Sequence, residues 1–131
     1  MQSEDPEPFR FAHETAKRLL GRPLALPVSL LNLSMPWISC ILLHKRAFGD
    51  SWFRPGLDDH TRALISVTIA SVLGAHDPLR GRLRIALNVD VTKEEIVELF
   101  IHLEGYACAA RAFDGYQIAK EILRSRTAKP A

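Results

Sequence analysis

The spacing of the apolar residues is the sequence feature that most constrains the fold. Apolar residues recur every three or four positions along most of the chain, whereas no segment of useful length alternates with a period of two. Three- and four-residue spacing lines up side chains on one face of an α-helix, and a period of two is required for a half-buried strand. We therefore predict an all-α chain of about six helices.

The clearest helix is predicted over residues 92–125. Thr92 and Glu95 have the spacing of a capping box, in which each side chain accepts from the other's backbone amide. Gly105 is a point at which this long helix can kink or divide. Its apolar stripe comprises Ile96, Leu99, Phe100, Leu103, Ala107, Ala110, Phe113, Ile118 and Ile122. Because the apolar faces exceed what a small monomer covers, we expect self-association.

Two further helices are predicted between residues 58 and 88. Asp58 or Asp59 can cap the first, and Gly74 suits its end. Asp77 followed by Pro78 indicates the start of the second. The expected core residues of the first helix are Leu64, Ile65, Thr68, Ile69 and Val72. Those of the second are Leu79, Leu83, Ala86 and Leu87.

The first part of the chain is less regular. Residues 1–8 form an acidic, proline-rich arm that we expect to be flexible, and a helix is predicted over Phe9–Leu20, ending at Gly21. Leu24–Leu43 contains no charged residue and is long enough to span a bilayer. Prolines and polar residues inside it interrupt a regular apolar helix. We therefore interpret it as a buried or intersubunit segment, not as a membrane helix.

Composition narrows the class of protein further. A chain of 131 residues is expected to form one domain, with residues 127–131 frayed. The net charge of +2 does not favour nucleic-acid binding, which needs a basic stripe on one face. Cys40 and Cys108 lie far apart, so neither a disulfide framework nor a metal site is expected, and a reducing cytoplasm suits the chain. Cys108 is interpreted as a small core residue.

A long motif runs through the middle of the chain. Residues 48–64 read FGDSWFRPGLDDHTRAL, later segments read LRGRLRIALNVDVTKEEI and ELFIHLEGYACAARA, and together these resemble the carboxymuconolactone decarboxylase family. Matching positions are Gly49, Trp52, Arg54, Pro55, Gly56, Leu57, Asp58, Thr61, Arg62, Leu64, Arg84, Ala86, Leu87, Asn88, Val91, Thr92, Glu94, Glu95, Ile96, His102 and Tyr106. The resemblance covers about residues 46–123. It implies a helical fold, an active site at a subunit contact that uses no cofactor and no metal, and a homo-oligomer, either a trimer or a hexamer.

The chain departs from the family pattern at two places. Arg82 stands where the family has a histidine, and Ala107-Cys108-Ala109 replaces a G-x-P turn. Histidine exchanges a proton near neutral pH, whereas arginine keeps its proton, so proton transfer to carbon needs another donor. The related alkylhydroperoxidase D type needs C-x-x-C-x-x-x-H. Here the corresponding residues are Ala75, Pro78 and Arg82, which excludes thiol peroxidase chemistry.

The family reaction defines candidate substrate-binding residues. Loss of carbon dioxide from a carboxylated lactone requires cations for the carboxylates, a donor to the developing oxyanion, and a proton for carbon. Arg54, which precedes Pro55-Gly56, is the first candidate for a bidentate carboxylate clamp. Trp52, two residues before it, is also a candidate substrate-binding residue. Arg84 is a weaker candidate, and Tyr106 can donate to an oxyanion.

Three residues are candidates for the chemical step itself. His102 is the best remaining proton carrier, Arg82 is a second anion binder, and Glu104 can act as an acid if it is buried. The structural alternative for His102 is a hydrogen-bonded core histidine, and that for Glu104 is a surface or intersubunit salt bridge. Arg80 and Arg84 on the same helix are expected to be solvated or in intersubunit pairs.

Three functions remain open from the sequence. The first is decarboxylation of a small carboxylated lactone or related cyclic substrate, by an enzyme that binds neither nucleic acid nor membrane. The second is cyclisation or isomerisation by a divergent enzyme of the same fold, with Arg82 binding an anion or carbonyl. The third is a non-catalytic oligomeric binding module, whose pocket is expected to be closed by side chains near Cys108.

Overall fold

The computed structural model describes residues 7–22 and 44–127, and all of their regular structure is helical. The helices are α1 (Glu7–Leu20), a π-helix (His44–Ser51), α2 (Asp59–Leu73), α3 (His76–Asn88), α4 (Lys93–Tyr106) and α5 (Ala109–Thr127). The described residues contain no strand, which confirms the prediction of an all-α chain of about six helices. The interpretations of Leu24–Leu43 and of Cys40 concern residues outside these ranges.

The chain divides into two compact units, Met1–Leu57 and Asp58–Ala131. In the first unit, α1 packs against the π-helix. α1 begins two residues before the predicted start, so residues 7 and 8 belong to the helix rather than to the arm. It ends as predicted at Gly21, which has a φ of 70° and whose amide donates to the Lys17 carbonyl over 2.9 Å. Among the described residues, the apolar ones buried in this unit are Ala16, Leu19, Phe48 and Trp52.

The second unit begins with the predicted caps of α2. The Asp58 carboxylate accepts from the Thr61 amide over 2.8 Å. Hydrogen bonds from Thr61, through its side chain first and then its backbone, lower the pKa of Asp58. Gly74 closes the helix with a φ of 65°, a left-handed conformation that costs glycine little. Local chemistry therefore defines both ends of α2.

The core face of α2 is not the one predicted from the apolar spacing. The buried residues are Ala63, Val67, Ala70 and Ser71, whereas Ile65, Ile69 and Val72 are 43%, 54% and 42% exposed. The prediction was wrong because α2 is apolar around most of its circumference, so periodicity alone does not say which face turns inward. Small side chains on the buried face let α3, α4 and α5 all pack against α2, and the larger residues are left on the outside.

The start of α3 also differs from the prediction. Its N-cap is Ala75, which makes no capping hydrogen bond through its side chain, so Asp77 and Pro78 lie within the first turn. Proline is tolerated there because the first amides of a helix have no partner inside the helix. Leu79, Leu83 and Ala86 are buried as predicted, Ile85 is buried as well, and Leu87 is half-buried.

The long helix predicted over residues 92–125 is divided in two. Thr92 and Glu95 form the predicted capping box, with N···O distances of 3.1 and 2.8 Å. Gly105 stays inside α4, and the break falls at Ala107–Cys108, where Ala107 leaves the helical region of backbone space. α4 and α5 then pack against each other. Residues predicted for the buried stripe but exposed here are Ala107, Ala110 and Phe113.

Three helices converge at Gly115 of α5, which is buried between α4 and α2. A methyl group added at Gly115 would lie 2.5 Å from Cε1 of Phe100 on α4 and 3.1 Å from Oγ of Ser71 on α2. This close approach fixes the position of α4, which carries most of the candidate site. Within residues 7–22 and 44–127, no helix combines the length and the hydropathy of a membrane span.

Candidate active site

His102 lies in an open groove between α2 and α4. The groove has a volume of about 660 Å³ and is lined by Leu64, Ile65, Thr68, Ile69, Glu94, Glu95, Glu98, Leu99 and His102. Its α2 wall is built by the large residues that were predicted to lie in the core. The exposed side of α2 therefore forms an apolar surface beside a group that can transfer a proton.

His102 is in contact with Tyr106, one turn further along α4. The centroids of the two rings are 4.7 Å apart, and their planes are inclined by 35°. Both side chains are exposed, Tyr106 to 84%. The alternative interpretation of His102 as a buried core histidine does not apply to this chain in isolation. The contact brings together the predicted proton carrier and the predicted oxyanion donor.

The α4 wall of the groove is acidic. Glu95 accepts from the Thr92 amide over 2.8 Å and interacts with His60 Nε2 over 3.0 Å. These interactions, with the Thr92 amide contributing most, lower the pKa of Glu95. Glu94 and Glu98 complete the acidic side. Among the lining residues, His102 is the one that can carry a positive charge.

Glu104 points to a different part of the surface. It lines a second groove, of about 560 Å³, between α4 and α5. The other lining residues of this second groove are Val97, Phe100, Ile101, Ala109, Ala110, Ala112, Phe113 and Tyr116. Within one subunit, Glu104 and His102 therefore do not share a groove.

The arginines of α3 are not among the lining residues of the His102 groove. α3 packs against α2 and α5 but, among the described residues, makes no contact with α4. Arg82 is half-buried, and this burial lowers its pKa, whereas Arg84 is exposed. Arg80 pairs with Glu121 of α5 over 2.8 Å at the surface. Such an exposed pair contributes about 0–1 kcal/mol.

Trp52 and Arg54 belong to the first compact unit, Met1–Leu57. Trp52 is 7% exposed, and Arg54 is exposed with its amide donating to the Ser51 carbonyl over 3.3 Å. A tight turn therefore presents Arg54 while the preceding indole is buried. The binding roles assigned to both residues stay predictions.

Cys108 is exposed, so its interpretation as a core residue was wrong. It immediately precedes α5, and the backbone amides of Arg111 and then Ala110 lower the pKa of its thiol. A signal for this exposure lies in the family pattern, which has a G-x-P turn at Ala107-Cys108-Ala109, because connecting turns almost always lie at the surface.

Sequence reasoning also missed Glu98 and the α2 wall of the His102 groove. Glu98 could have been found from its spacing, because it lies one helical turn before His102.

Within the described ranges, no three residues among His, Cys, Asp and Glu are grouped as a metal site would require.

Comparison with known proteins shows the family of this chain. The Carboxymuconolactone decarboxylase family model matches residues 43–121, which include α2, α3, α4 and most of α5. A 4-carboxymuconolactone decarboxylase of Acinetobacter baylyi is 37% identical over 82 residues, which cover 63% of this chain and 61% of that protein. The matched region thus spans less than two thirds of the relative's length. The family match includes both helices that form the His102 groove, and the chain belongs to the carboxymuconolactone decarboxylase family.

Proposed function

We propose that this protein is a cofactor-independent decarboxylase of a small carboxylated, lactone-like substrate, with His102 as the proton donor. The observation that carries the proposal is the position of His102, in contact with Tyr106 and beside an apolar wall, in a chain of this family. The 4-carboxymuconolactone decarboxylase of Acinetobacter baylyi supports the substrate class.

The proposed reaction needs only groups that the chain itself supplies. The bond between the substrate and its carboxylate breaks, carbon dioxide leaves, and the electron pair spreads through the ring's double bond toward the lactone carbonyl. Tyr106 donates a hydrogen bond to the oxyanion that forms. His102 then gives its proton to carbon and recovers one from water. In the proposed oligomer, a second copy covering the apolar α2 wall would keep water from competing with these groups.

The substrate carboxylates also need cations, and the groove wall around His102 is acidic. We assign the first clamp to Arg54, because a planar guanidinium binds a carboxylate through two parallel hydrogen bonds. Arg82 is not among the residues that line the His102 groove, and α3 does not pack against α4 among the described residues. We therefore propose that Arg82 acts across a subunit contact of a homo-oligomer.

The exposed surface of α2 supports this oligomer. Ile65, Ile69, Val72 and Leu73 are 42–69% exposed in the isolated chain and lie on one helix. A contiguous apolar patch of this kind is typical of an interaction surface. Covering it with a second copy would also enclose the His102 groove and exclude water from it.

Cyclisation or isomerisation is the second candidate function. It is favoured by Arg82 in place of the family histidine and by the mainly apolar α2 wall of the groove. A non-catalytic module is less well supported, because its pocket was expected to be closed near Cys108. The groove is open and Cys108 is exposed.

The proposal is tested by carbon dioxide release from 4-carboxymuconolactone by the wild type and by Arg54→Ala, with light scattering on both proteins. We expect release by the wild type and a loss of about 100-fold or more in Arg54→Ala at unchanged oligomer mass, as for a lost charge-assisted clamp. A wild type that releases no carbon dioxide would reject decarboxylation. Unchanged turnover in Arg54→Ala would remove Arg54 from the site.

A further inference from the structure

Three chemically active side chains follow one another along α4 at intervals of four residues. They are Glu98, His102 and Tyr106, all within Lys93–Tyr106. Residues four apart on an α-helix lie on the same face, with about 5–6 Å between their Cβ atoms. His102 therefore has a carboxylate one turn before it and a phenol ring one turn after it.

We propose that Glu98 is a positioning residue, whose carboxylate accepts from the His102 imidazole and holds its ring in one tautomer for proton transfer to the substrate. This role rests on the proposed function. Glu98 and His102 both line the groove between α2 and α4, one helical turn apart on α4. A carboxylate that precedes a cation by four residues has the more favourable order on a helix.

The other glutamates of the groove are less suited to this task. Glu95 accepts from the Thr92 amide and interacts with His60, so its carboxylate is held at the start of α4. Glu94 lies eight residues before His102 on α4. Side chains on one helix interact directly at a spacing of three or four residues, so Glu94 is too far along the helix to contact His102. Glu98 is thus the lining carboxylate within one turn of His102.

Tyr106 limits the imidazole from the opposite side. Its ring centroid lies 4.7 Å from that of His102, close enough for an attractive aromatic contact. The ring contact restricts rotation of His102, but it leaves open which ring nitrogen carries the proton. That choice is made by the hydrogen-bond partner of the other nitrogen. A carboxylate at position 98 supplies such a partner. The hydrogen bond can tighten when substrate excludes water, as catalytic hydrogen bonds often do.

The first test measures kinetics with 4-carboxymuconolactone for Glu98→Leu and Glu98→Gln. Glu98→Leu replaces the carboxylate by an apolar side chain of similar size. We expect kcat to fall about tenfold with little change in KM, because the lost hydrogen bond positions the proton donor His102 and does not bind substrate. Glu98→Gln keeps an acceptor oxygen and is expected to recover part of the loss. Asp114→Leu is the matched control, since it removes an exposed carboxylate of α5 outside both grooves and is expected to stay within twofold of wild type.

The second test does not depend on activity. The ¹⁵N chemical shifts of the two ring nitrogens of His102 are measured by NMR in protein labelled at histidine, at a pH where the imidazole is neutral. The signals that disappear in His102→Gln are assigned to His102. We expect one dominant tautomer in the wild type and in Glu98→Gln. In Glu98→Leu the tautomer ratio should move toward that of His76, which is exposed and serves as the internal reference.

The two tests separate this inference from the proposed function. Carbon dioxide release that is unchanged in Glu98→Leu, with an unchanged His102 tautomer, would overturn the role of Glu98 and leave the decarboxylase intact. A wild type without carbon dioxide release would reject the decarboxylase, and the tautomer ratio would then decide alone whether Glu98 positions His102.

Discussion

Replacing Gly115 by alanine should destabilise the protein, although alanine favours a helix more than glycine does. The added methyl group would lie 2.5 Å from Cε1 of Phe100 and 3.1 Å from Oγ of Ser71, so α4 or α2 must shift. Overpacking of a core typically costs about 1–3 kcal/mol. A contact this close to an aromatic ring belongs in the upper half of that range. Helix propensity returns about 1 kcal/mol, which leaves a net loss of about 1–2 kcal/mol in the free energy of unfolding.

Gly81→Ala is the matched control, because Gly81 is also within a helix but has no atom within 4 Å of an added methyl group. We expect this variant to gain about 0.5–1 kcal/mol. Thermal unfolding followed by circular dichroism should therefore separate the two variants by about 10 °C, since each kcal/mol shifts the midpoint by a few degrees in a chain of this size. Equal midpoints would contradict the convergence of α2, α4 and α5 at Gly115.

Three further predictions concern the caps and the exposed face. Thr92→Ala should lower the free energy of unfolding by about 1 kcal/mol in urea titrations, because it removes one half of the capping box; an unchanged midpoint would contradict a capping role. The pKa of Glu95 is lower in the folded protein, so its contribution to stability is complete above the unfolded pKa of about 4.3 and is lost as the pH falls through the folded value. Glu95→Gln should therefore lose less stability than wild type between pH 6 and pH 3, and parallel urea midpoints for the two proteins would refute this assignment. Ile69→Glu places a charge on the exposed face of α2 and should lower the mass measured by light scattering with little loss of helicity; an unchanged oligomer would exclude this face from the subunit contact.

The ends of the helices could be predicted because they depend on neighbouring residues. Each predicted cap forms hydrogen bonds with backbone groups only a few positions away. The structure shows the predicted role for Asp58, Gly74 and the Thr92–Glu95 pair. The start of α3 was predicted two residues late. The reason is that the left-handed turn at Gly74 leads almost directly into the next helix, without a side-chain cap.

The inward face of α2 could not be predicted in the same way. Its apolar residues surround the helix, and the choice of face depends on which partners approach it. Ala63, Ala70 and Ser71 are small enough for three helices to pack there, while Ile65 and Ile69 build the wall of the groove. Spacing alone favoured the larger residues.

The candidate site was predicted in part. His102 and Tyr106 were singled out from their positions in the motif, and the structure brings their rings together. Within one subunit, neither Glu104 nor Arg82 lines the His102 groove: Glu104 lines the other groove, and Arg82 lies on α3, which does not pack against α4 among the described residues. Helix packing decides which residues line the same groove, and the order of residues in a sequence motif does not show how the helices pack.

The most direct test of the central claim is the rate of carbon dioxide release from 4-carboxymuconolactone by His102→Gln beside the wild type, at saturating substrate and neutral pH. If His102 gives its proton to carbon, the wild type turns over and the variant loses about 100-fold or more, the contribution expected of a positioned general acid. Turnover by His102→Gln within about threefold of the wild type, equivalent to less than 1 kcal/mol in the barrier, would contradict the account.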